Sequence, residues 1–185
     1  MKTAQEHRAK PRYDTIGIER FRHAQNLSAR LAIILAVIYA IPHIWWGFGV
    51  DWLAPGDMQG DDGLGSHPVI TFVAFYGMGT LALLSAVLTV PLADPFRMSR
   101  FPAWFLALHG WGISILLLIR GGIGLTETSL ILAGKRECPF MGCRGSEPGR
   151  DAIGLTGAFW EPLFVLWGVA LLVAVARWSW ARRQA

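Results

Sequence analysis

Long runs without a charged residue are the feature that most constrains this chain. The stretch from Val69 to Val90 carries no charge, and three other apolar stretches approach it in length. A helix needs about 20 apolar residues to cross a hydrocarbon core about 30 Å thick. Only 16% of the 185 residues are charged and 53% are hydrophobic, whereas a water-soluble domain carries about a quarter charged residues. This pattern disfavours a disordered chain, a coiled coil or an ordinary soluble enzyme, and it indicates a protein of the lipid bilayer.

Four apolar stretches predict four transmembrane helices. They cover about residues 27–48, 69–90, 102–120 and 159–178. Backbone polar groups inside lipid must be hydrogen-bonded within the protein, so only helices and closed barrels span a membrane, and these stretches lack the alternation of barrel strands. We therefore predict an all-α membrane fold, a four-transmembrane-helix bundle that occupies residues 27–180. Its two long connections are residues 49–68 and 121–158.

The Lys and Arg residues are distributed unevenly around these helices, and cytoplasmic flanks collect positive charge. Twelve of the 17 lie in residues 1–30, in the turn between the second and third helices, or near the C-terminus, whereas the connection 49–68 has none and holds four Asp residues. We predict that both termini are cytoplasmic and that the connections 49–68 and 121–158 lie outside the inner membrane of a bacterial cell. The net charge of +4 follows from this topology, so a nucleic-acid partner is not needed to explain it.

Residues 1–26 are predicted to be a basic cytoplasmic arm, and residues 181–185 a short cytoplasmic tail. A cleaved signal peptide is the alternative interpretation of the first apolar stretch. The arm is longer than the usual charged region of a signal peptide, so we expect the first helix to be retained. The arm itself is either a solvated leader or a short helix on anionic headgroups.

Small residues spaced four apart predict where the helices pack, because close backbone approach favours helix association in lipid. Three such pairs are Ala82 with Ala86, Gly110 with Ser114, and Ala170 with Ala174. Pro42 is expected to loosen the outer part of the first helix, since it removes an N–H group and clashes with the preceding turn.

Ionisable residues inside the apolar stretches are the candidates for function, because such residues are costly to place in a membrane. Counting along each helix from the inner boundary places His43 at roughly 20 Å, Arg120 at about 27 Å and Glu161 at about 24 Å. All three fall in the outer third, and we predict an ion pair between Arg120 and Glu161. The candidate binding residues are His43, Trp45, Trp46, Arg120 and Glu161.

A structural role for this pair is the alternative. An ion pair can pin two helix ends together, and an Arg near a helix end can extend to the lipid headgroups without any ligand. Ion pairs often serve structure, so a structural role is the interpretation that we favour for Arg120 and Glu161. His109 is expected to form a hydrogen bond between helices rather than to relay protons.

Cys138 and Cys143 are the chain's two cysteines, with four residues between them. The extracytoplasmic compartment permits a disulfide, and we predict a structural one. A thiol oxidoreductase is the alternative, but its cysteines usually lie two residues apart. Two thiols without further ligands leave a zinc site half empty, so no metal is predicted, and no nucleotide or dinucleotide motif indicates a cofactor.

Three short motifs carry a resemblance to a known family. They are Pro42-His43-Ile44-Trp45-Trp46-Gly47, Leu118-Ile119-Arg120-Gly121-Gly122 and Trp160-Glu161-Pro162-Leu163. In these motifs the chain resembles a family of small bacterial four-span integral membrane proteins of unknown function, over most of its length after the basic arm. The resemblance implies that His43, Trp46, Arg120 and Glu161 belong to a recurring polar and aromatic set. It implies no activity, and the arm and the cysteine-containing connection are not part of the family pattern.

Three functions are compatible with these features. We favour a non-enzymatic accessory, sensory or interaction component, because no catalytic motif occurs and the outer connections are longer than the chain needs to join its helices. A membrane enzyme for a lipophilic substrate is the second, with Glu161 as acid or base and Arg120 holding an anionic headgroup. An oligomeric small-molecule transporter is the third. The partners predicted are the lipid bilayer, a membrane or extracytoplasmic protein, and a second copy of the chain.

Overall fold

This computed structural model describes residues 13–50, 68–93, 100–135 and 150–184. Four long helices account for most of these residues, and no strand occurs among them. Helix 1 is Tyr13–Gly47, helix 3 is Ala103–Leu132 and helix 4 is Arg150–Arg183. Each of the four helices contains a stretch long and apolar enough to cross a membrane. The all-α class and the four candidate spans predicted from sequence are therefore confirmed.

Helix 2 is built from four consecutive segments of different helical type. They are the α-helix Pro68–Thr71, the π-helix Phe72–Gly77, the α-helix Met78–Thr89 and the 3-10 helix Val90–Ala93. A π turn is wider than an α turn and re-aims the side chains that it carries. Here it holds the buried Phe75 against Trp46 of helix 1, with 6.1 Å between the two ring centroids.

Helix 4 is the central element of the bundle. It packs most extensively against helix 3 and also against helix 1, while helix 2 packs mainly on helix 1 and much less on helix 3. The buried side chains Trp167, Leu171 and Val175 run along helix 4 and form the middle of the core. The most extensive contacts therefore follow the order 2, 1, 4, 3, and helix 2 makes only small contacts with helices 3 and 4.

Small residues line the helix contacts, as the sequence predicts. All six members of the predicted small-residue pairs are buried, and Gly110 packs directly against the side chain of Val175. A side chain at Gly168 would meet Leu118 and the backbone carbonyl of Ser114. The backbones of helices 3 and 4 approach closely because these positions carry little or no side chain.

The helices extend beyond several of the predicted span boundaries, and helix 1 already begins at Tyr13, inside the predicted arm 1–26. Helix 3 continues past Arg120 to Leu132, and helix 4 already begins at Arg150, so both ends of the predicted connection 121–158 are helical. The glycines after Arg120 suggested a turn, yet Gly121 and Gly124 are buried inside helix 3, where they face helix 4. Helix 1 also runs without interruption through Pro42, so the proline does not end the helix in the part of the chain described.

Candidate functional site

Arg120 on helix 3 and Glu161 on helix 4 form the charged part of the candidate site. The Nη1 group of Arg120 donates to both carboxylate oxygens, at 3.0 Å to Oε1 and 2.8 Å to Oε2. The ion pair predicted from sequence is therefore present. Its two halves differ in environment, because the Glu161 side chain is 9% exposed and the Arg120 side chain is 54% exposed.

Glycines of helix 3 make room for the ion pair. A Cβ atom on Gly124 would overlap the carboxyl group of Glu161, and a Cβ atom on Gly121 would press on the side chain and backbone of Val165. The absence of side chains at these two positions lets helix 4 lie close enough for the Glu161 carboxylate to be covered by backbone. Helix 3 therefore carries both the cation, Arg120, and the glycines, Gly121 and Gly124, that leave room for Glu161 and its neighbours on helix 4.

A group of aromatic rings in tilted and edge-to-face contact lies beside the charged pair, and we call it the aromatic cluster. It consists of Tyr39, His43 and Trp46 on helix 1 and Trp160 and Phe164 on helix 4, all buried. Ring centroids are 4.0 Å apart for Tyr39 and His43 and 4.6 Å apart for His43 and Trp46. Trp160 meets Trp46 edge to face at 5.5 Å. Offset and edge-to-face contacts of this kind add about 0.5–1.5 kcal/mol each beyond area burial, so the cluster holds helices 1 and 4 together.

Phe164 connects the aromatic cluster to the ion pair. The Arg120 Cζ atom lies 5.2 Å from the centroid of the Phe164 ring, within the range of a cation–π contact. The Phe164 ring in turn lies 5.2 Å from the ring of Tyr39. The pair and the cluster therefore form one continuous site, which we call the Arg120 site.

The hydrogen bond of His43 fixes the orientation of its ring. The Nδ1 atom lies 2.9 Å from the backbone carbonyl oxygen of Tyr39. A carbonyl oxygen can only accept, so Nδ1 carries a proton and, in a neutral ring, Nε2 is the acceptor. His43 thereby contributes one basic nitrogen to the rim of the aromatic cluster.

Two residues considered from sequence lie away from the Arg120 site. Trp45 is 46% exposed whereas Trp46 is 5% exposed, because consecutive residues of a helix point about 100° apart. The His109 Nε2 atom lies 3.4 Å from Ser85 Oγ on helix 2, which confirms its predicted role as a hydrogen-bonding residue between helices. Cys138 and Cys143 lie outside the described residues, so their disulfide stays a prediction.

Sequence reasoning missed Tyr39 and Phe164 as site residues and noted Trp160 only within a motif. Helical spacing carries the signal that could have found them. Tyr39 precedes His43 by four residues, Phe164 follows Glu161 by three, and Trp160 shares the face of Phe164 because it precedes it by four. Positions three or four apart share a helix face, so aromatic residues at those distances from a buried charge are candidates to cover it.

The donors present limit the chemistry of the site. No group of three or more His, Cys, Asp or Glu residues able to hold a metal ion occurs in the part of the chain that the structure describes. What the Arg120 site does offer is a guanidinium with a half-exposed side chain, aromatic walls and one buried carboxylate. Such an arrangement can bind an anion or an amphiphile.

Comparison with family models gave a match over residues 36–171, to the family described as "Protein of unknown function (DUF3995)". This range includes the aromatic cluster and both members of the ion pair. Comparison with curated proteins gave no match, and neither did comparison with solved structures.

Proposed function

The chain belongs to the family described as protein of unknown function (DUF3995), and we propose that it is a non-enzymatic, multi-pass component of the bacterial cell membrane with both termini in the cytoplasm. Four apolar helices and the concentration of Lys and Arg at one end support this placement. In this proposal the protein has an accessory, sensory or interaction role, and it recognises a ligand or partner at the Arg120 site, on the extracytoplasmic side.

The contrast in exposure within the ion pair carries this proposal. A general acid or base must lie within hydrogen-bond reach of the proton that it transfers. Glu161 is the carboxylate that such chemistry would use, but both of its oxygens contact Arg120 and its side chain is 9% exposed. The accessible member is Arg120, and a guanidinium stays protonated in proteins. The site therefore exposes Arg120, which can bind a ligand, and buries Glu161, which catalysis would need.

The length of helices 3 and 4 supports an interaction role. Helix 3 has 30 residues and helix 4 has 34, which correspond to about 45 Å and 51 Å, whereas the hydrocarbon core is about 30 Å thick. Beyond the ion pair the two helices still pack, since a side chain at Gly157 would overlap Thr128. We infer that this hairpin projects from the membrane next to the Arg120 site, where a partner can contact it.

Replacing Glu161 by Gln tests the non-enzymatic proposal. The amide keeps the shape of the side chain and an oxygen for Arg120, but it cannot act as an acid or base. In a strain lacking the native copy, we expect Glu161→Gln to retain biological activity at normal membrane abundance. A catalytic Glu161 predicts a loss of about 10²–10⁴-fold instead. Glu127→Gln, which removes a carboxylate outside the ion pair, is the matched control.

Reporter fusions test the orientation. A cytoplasmic and a periplasmic reporter joined to each terminus should give activity only for the cytoplasmic one at both ends. Reporters that place the two termini in different compartments would refute four complete crossings, and a periplasmic result at both ends would reverse the orientation proposed for the Arg120 site.

A further inference from the structure

Arg120 has hydrogen-bonding capacity that its partner does not use. A guanidinium carries five N–H donors in a rigid planar fork. Within the described residues, its hydrogen bonds to Glu161 involve Nη1 alone. With 54% of its side chain exposed, Arg120 is the accessible member of the pair.

The unused edge suits an oxyanion. Two parallel N–H groups bind a phosphate or carboxylate through two hydrogen bonds, and such charge-assisted pairs are stronger than neutral hydrogen bonds. Glu161 does not occupy this edge, because its carboxyl group is packed against Gly124 on the buried side of the pair. A second anion can therefore approach Arg120 without displacing the first.

The position of Arg120 along helix 3 indicates which kind of anion could reach it. Arg120 lies 17 residues after Ala103, or about 26 Å along the helix, close to the far boundary of a hydrocarbon core about 30 Å thick. Lipid headgroups lie at that depth. The neighbouring positions Leu116 and Ile123, four before and three after Arg120, share its helix face and are exposed apolar side chains. A headgroup at Arg120 would thus have an apolar surface beside it for a tail.

We propose that Arg120 binds the anionic headgroup, phosphate or carboxylate, of a single-tailed or double-tailed amphiphile whose tail lies along helix 3. This proposal rests on the proposed function, since it names the ligand class of the same site. Glu161 and the aromatic cluster position the guanidinium, and Phe164 supplies a ring face that holds its plane. The ligand is bound and released without covalent chemistry.

Binding of defined probes to the purified full-length chain in neutral detergent tests this inference. The probes are dodecyl phosphate, dodecanoate, dodecyltrimethylammonium and inorganic phosphate, and binding is followed by tryptophan fluorescence, to which Trp46 and Trp160 of the aromatic cluster contribute. We expect saturable binding of the two anionic amphiphiles and none of the cationic one. Inorganic phosphate should bind at least about tenfold more weakly, because it gains nothing from apolar contact.

Variants assign the binding to Arg120. Arg120→Gln alone leaves a buried carboxylate unpaired and could fail to fold, so the main test is the double variant Arg120→Gln with Glu161→Gln, which carries no unpaired charge. We expect it to bind dodecyl phosphate at least about tenfold more weakly than the native chain, consistent with the strength of hydrogen bonds to charged groups. Lys135→Gln removes an exposed cation at the same end of helix 3 and should bind normally.

Three results would overturn the inference. These are native affinity in a folded double variant, equal binding of cationic and anionic amphiphiles, and equal binding of inorganic and dodecyl phosphate, the last of which would indicate a free anion as ligand. The inference and the proposed function can fail separately. Anionic probes that bind equally well to the native chain and to Glu161→Gln, together with loss of biological activity in that variant, would refute the non-enzymatic role alone. Retained activity of Glu161→Gln without probe binding would refute the ligand class alone.

Discussion

The two halves of the bundle are built from different residues. In the half that contains the Arg120 site, five aromatic rings and an ion pair fill the space between helices 1, 3 and 4. In the opposite half, which we call the small-residue half, small residues lie at the helix contacts and pack against larger apolar side chains such as Val175. Its buried small residues are Ala29, Ala32, Ala36, Ala82, Ala86, Gly110, Ser114, Ala170 and Ala174. Close packing of the helices does not require charged residues. Arg120 and Glu161, which are costly to place in a membrane, therefore need a separate explanation.

The polar groups of the two halves show the same contrast. In the small-residue half, Thr89 donates to the carbonyl of Ser85 at 2.7 Å, and Ser114 donates to the carbonyl of Trp111 at 3.0 Å. These hydrogen bonds join a neutral hydroxyl to a backbone carbonyl of the same helix, so they satisfy the buried hydroxyl without linking two helices. The Arg120 site instead brings a cation and an anion from two helices together and leaves the cation half exposed. This contrast supports our proposal that the half containing the Arg120 site binds a ligand in addition to stabilising the fold.

Breaking the ion pair from one side should have the largest effect. Arg120→Gln leaves the Glu161 carboxylate buried without a counter-charge, and removal of one partner of a fully buried pair costs about 3–5 kcal/mol. Because the Arg120 side chain is half exposed, we expect a loss toward the lower end of that range, about 3 kcal/mol, in the free energy of unfolding, measured by titration of mixed micelles with a denaturing detergent. The double variant Arg120→Gln with Glu161→Gln should recover most of it. Equal destabilisation of the single and double variants would show that the carboxylate is not the source of the loss.

Crowding the small-residue half should have an intermediate effect. Gly110→Ala places a Cβ atom within 2.6 Å of a Val175 methyl carbon, so the neighbouring side chain or the helix must move. Overpacking of this kind costs about 1–3 kcal/mol. Gly112→Ala is the matched control, since a Cβ atom there meets nothing within 4 Å, and it should be neutral or slightly stabilising because Ala favours helix. Similar unfolding free energies for the two variants would contradict close packing at Gly110.

Trp167→Phe should change the free energy of unfolding less than Gly110→Ala does. The Trp167 Nε1 group is buried and has no hydrogen-bond partner among the described residues. Its removal relieves the desolvation penalty of an unsatisfied donor, while the smaller ring leaves a void against Tyr39, whose ring lies 5.8 Å away. These effects oppose each other, so we expect a net change within about 1 kcal/mol in the same detergent titration. A loss of several kcal/mol would indicate that the indole N–H is satisfied in the membrane.

Ser85→Ala should have the smallest effect. It removes the side-chain contact between helices 2 and 3, in which Ser85 Oγ lies 3.4 Å from His109 Nε2. Hydrogen bonds between membrane helices contribute about 0.6 kcal/mol on average, and a long bond contributes less. We therefore expect a decrease of at most about 0.6 kcal/mol. A much larger decrease would mean that the small-residue half also depends on its polar contacts, which would weaken the contrast between the halves.

The features that the sequence predicted well share a local signal. A charge inside an apolar run is conspicuous, and Arg120 and Glu161 end one run and begin the next, so their pairing could be predicted. Aromatic residues give no such signal, because Tyr39 in an apolar helix reads equally as a lipid-facing side chain or as a core residue. The glycines after Arg120 were misleading for a similar reason. Glycine is typical both of turns and of close helix contacts, and the neighbouring sequence does not distinguish the two.

The sequence by itself determined the four apolar helices, because length and hydropathy are properties of each segment alone. It also predicted the charged pair and the small-residue contacts, since the spacing of residues along a helix is regular. The tertiary structure alone decided that helix 3 continues through its glycines and that five rings enclose the site. It also decided that Arg120 is exposed while Glu161 is buried. Burial depends on which distant segments pack against a residue, and no local pattern encodes that information.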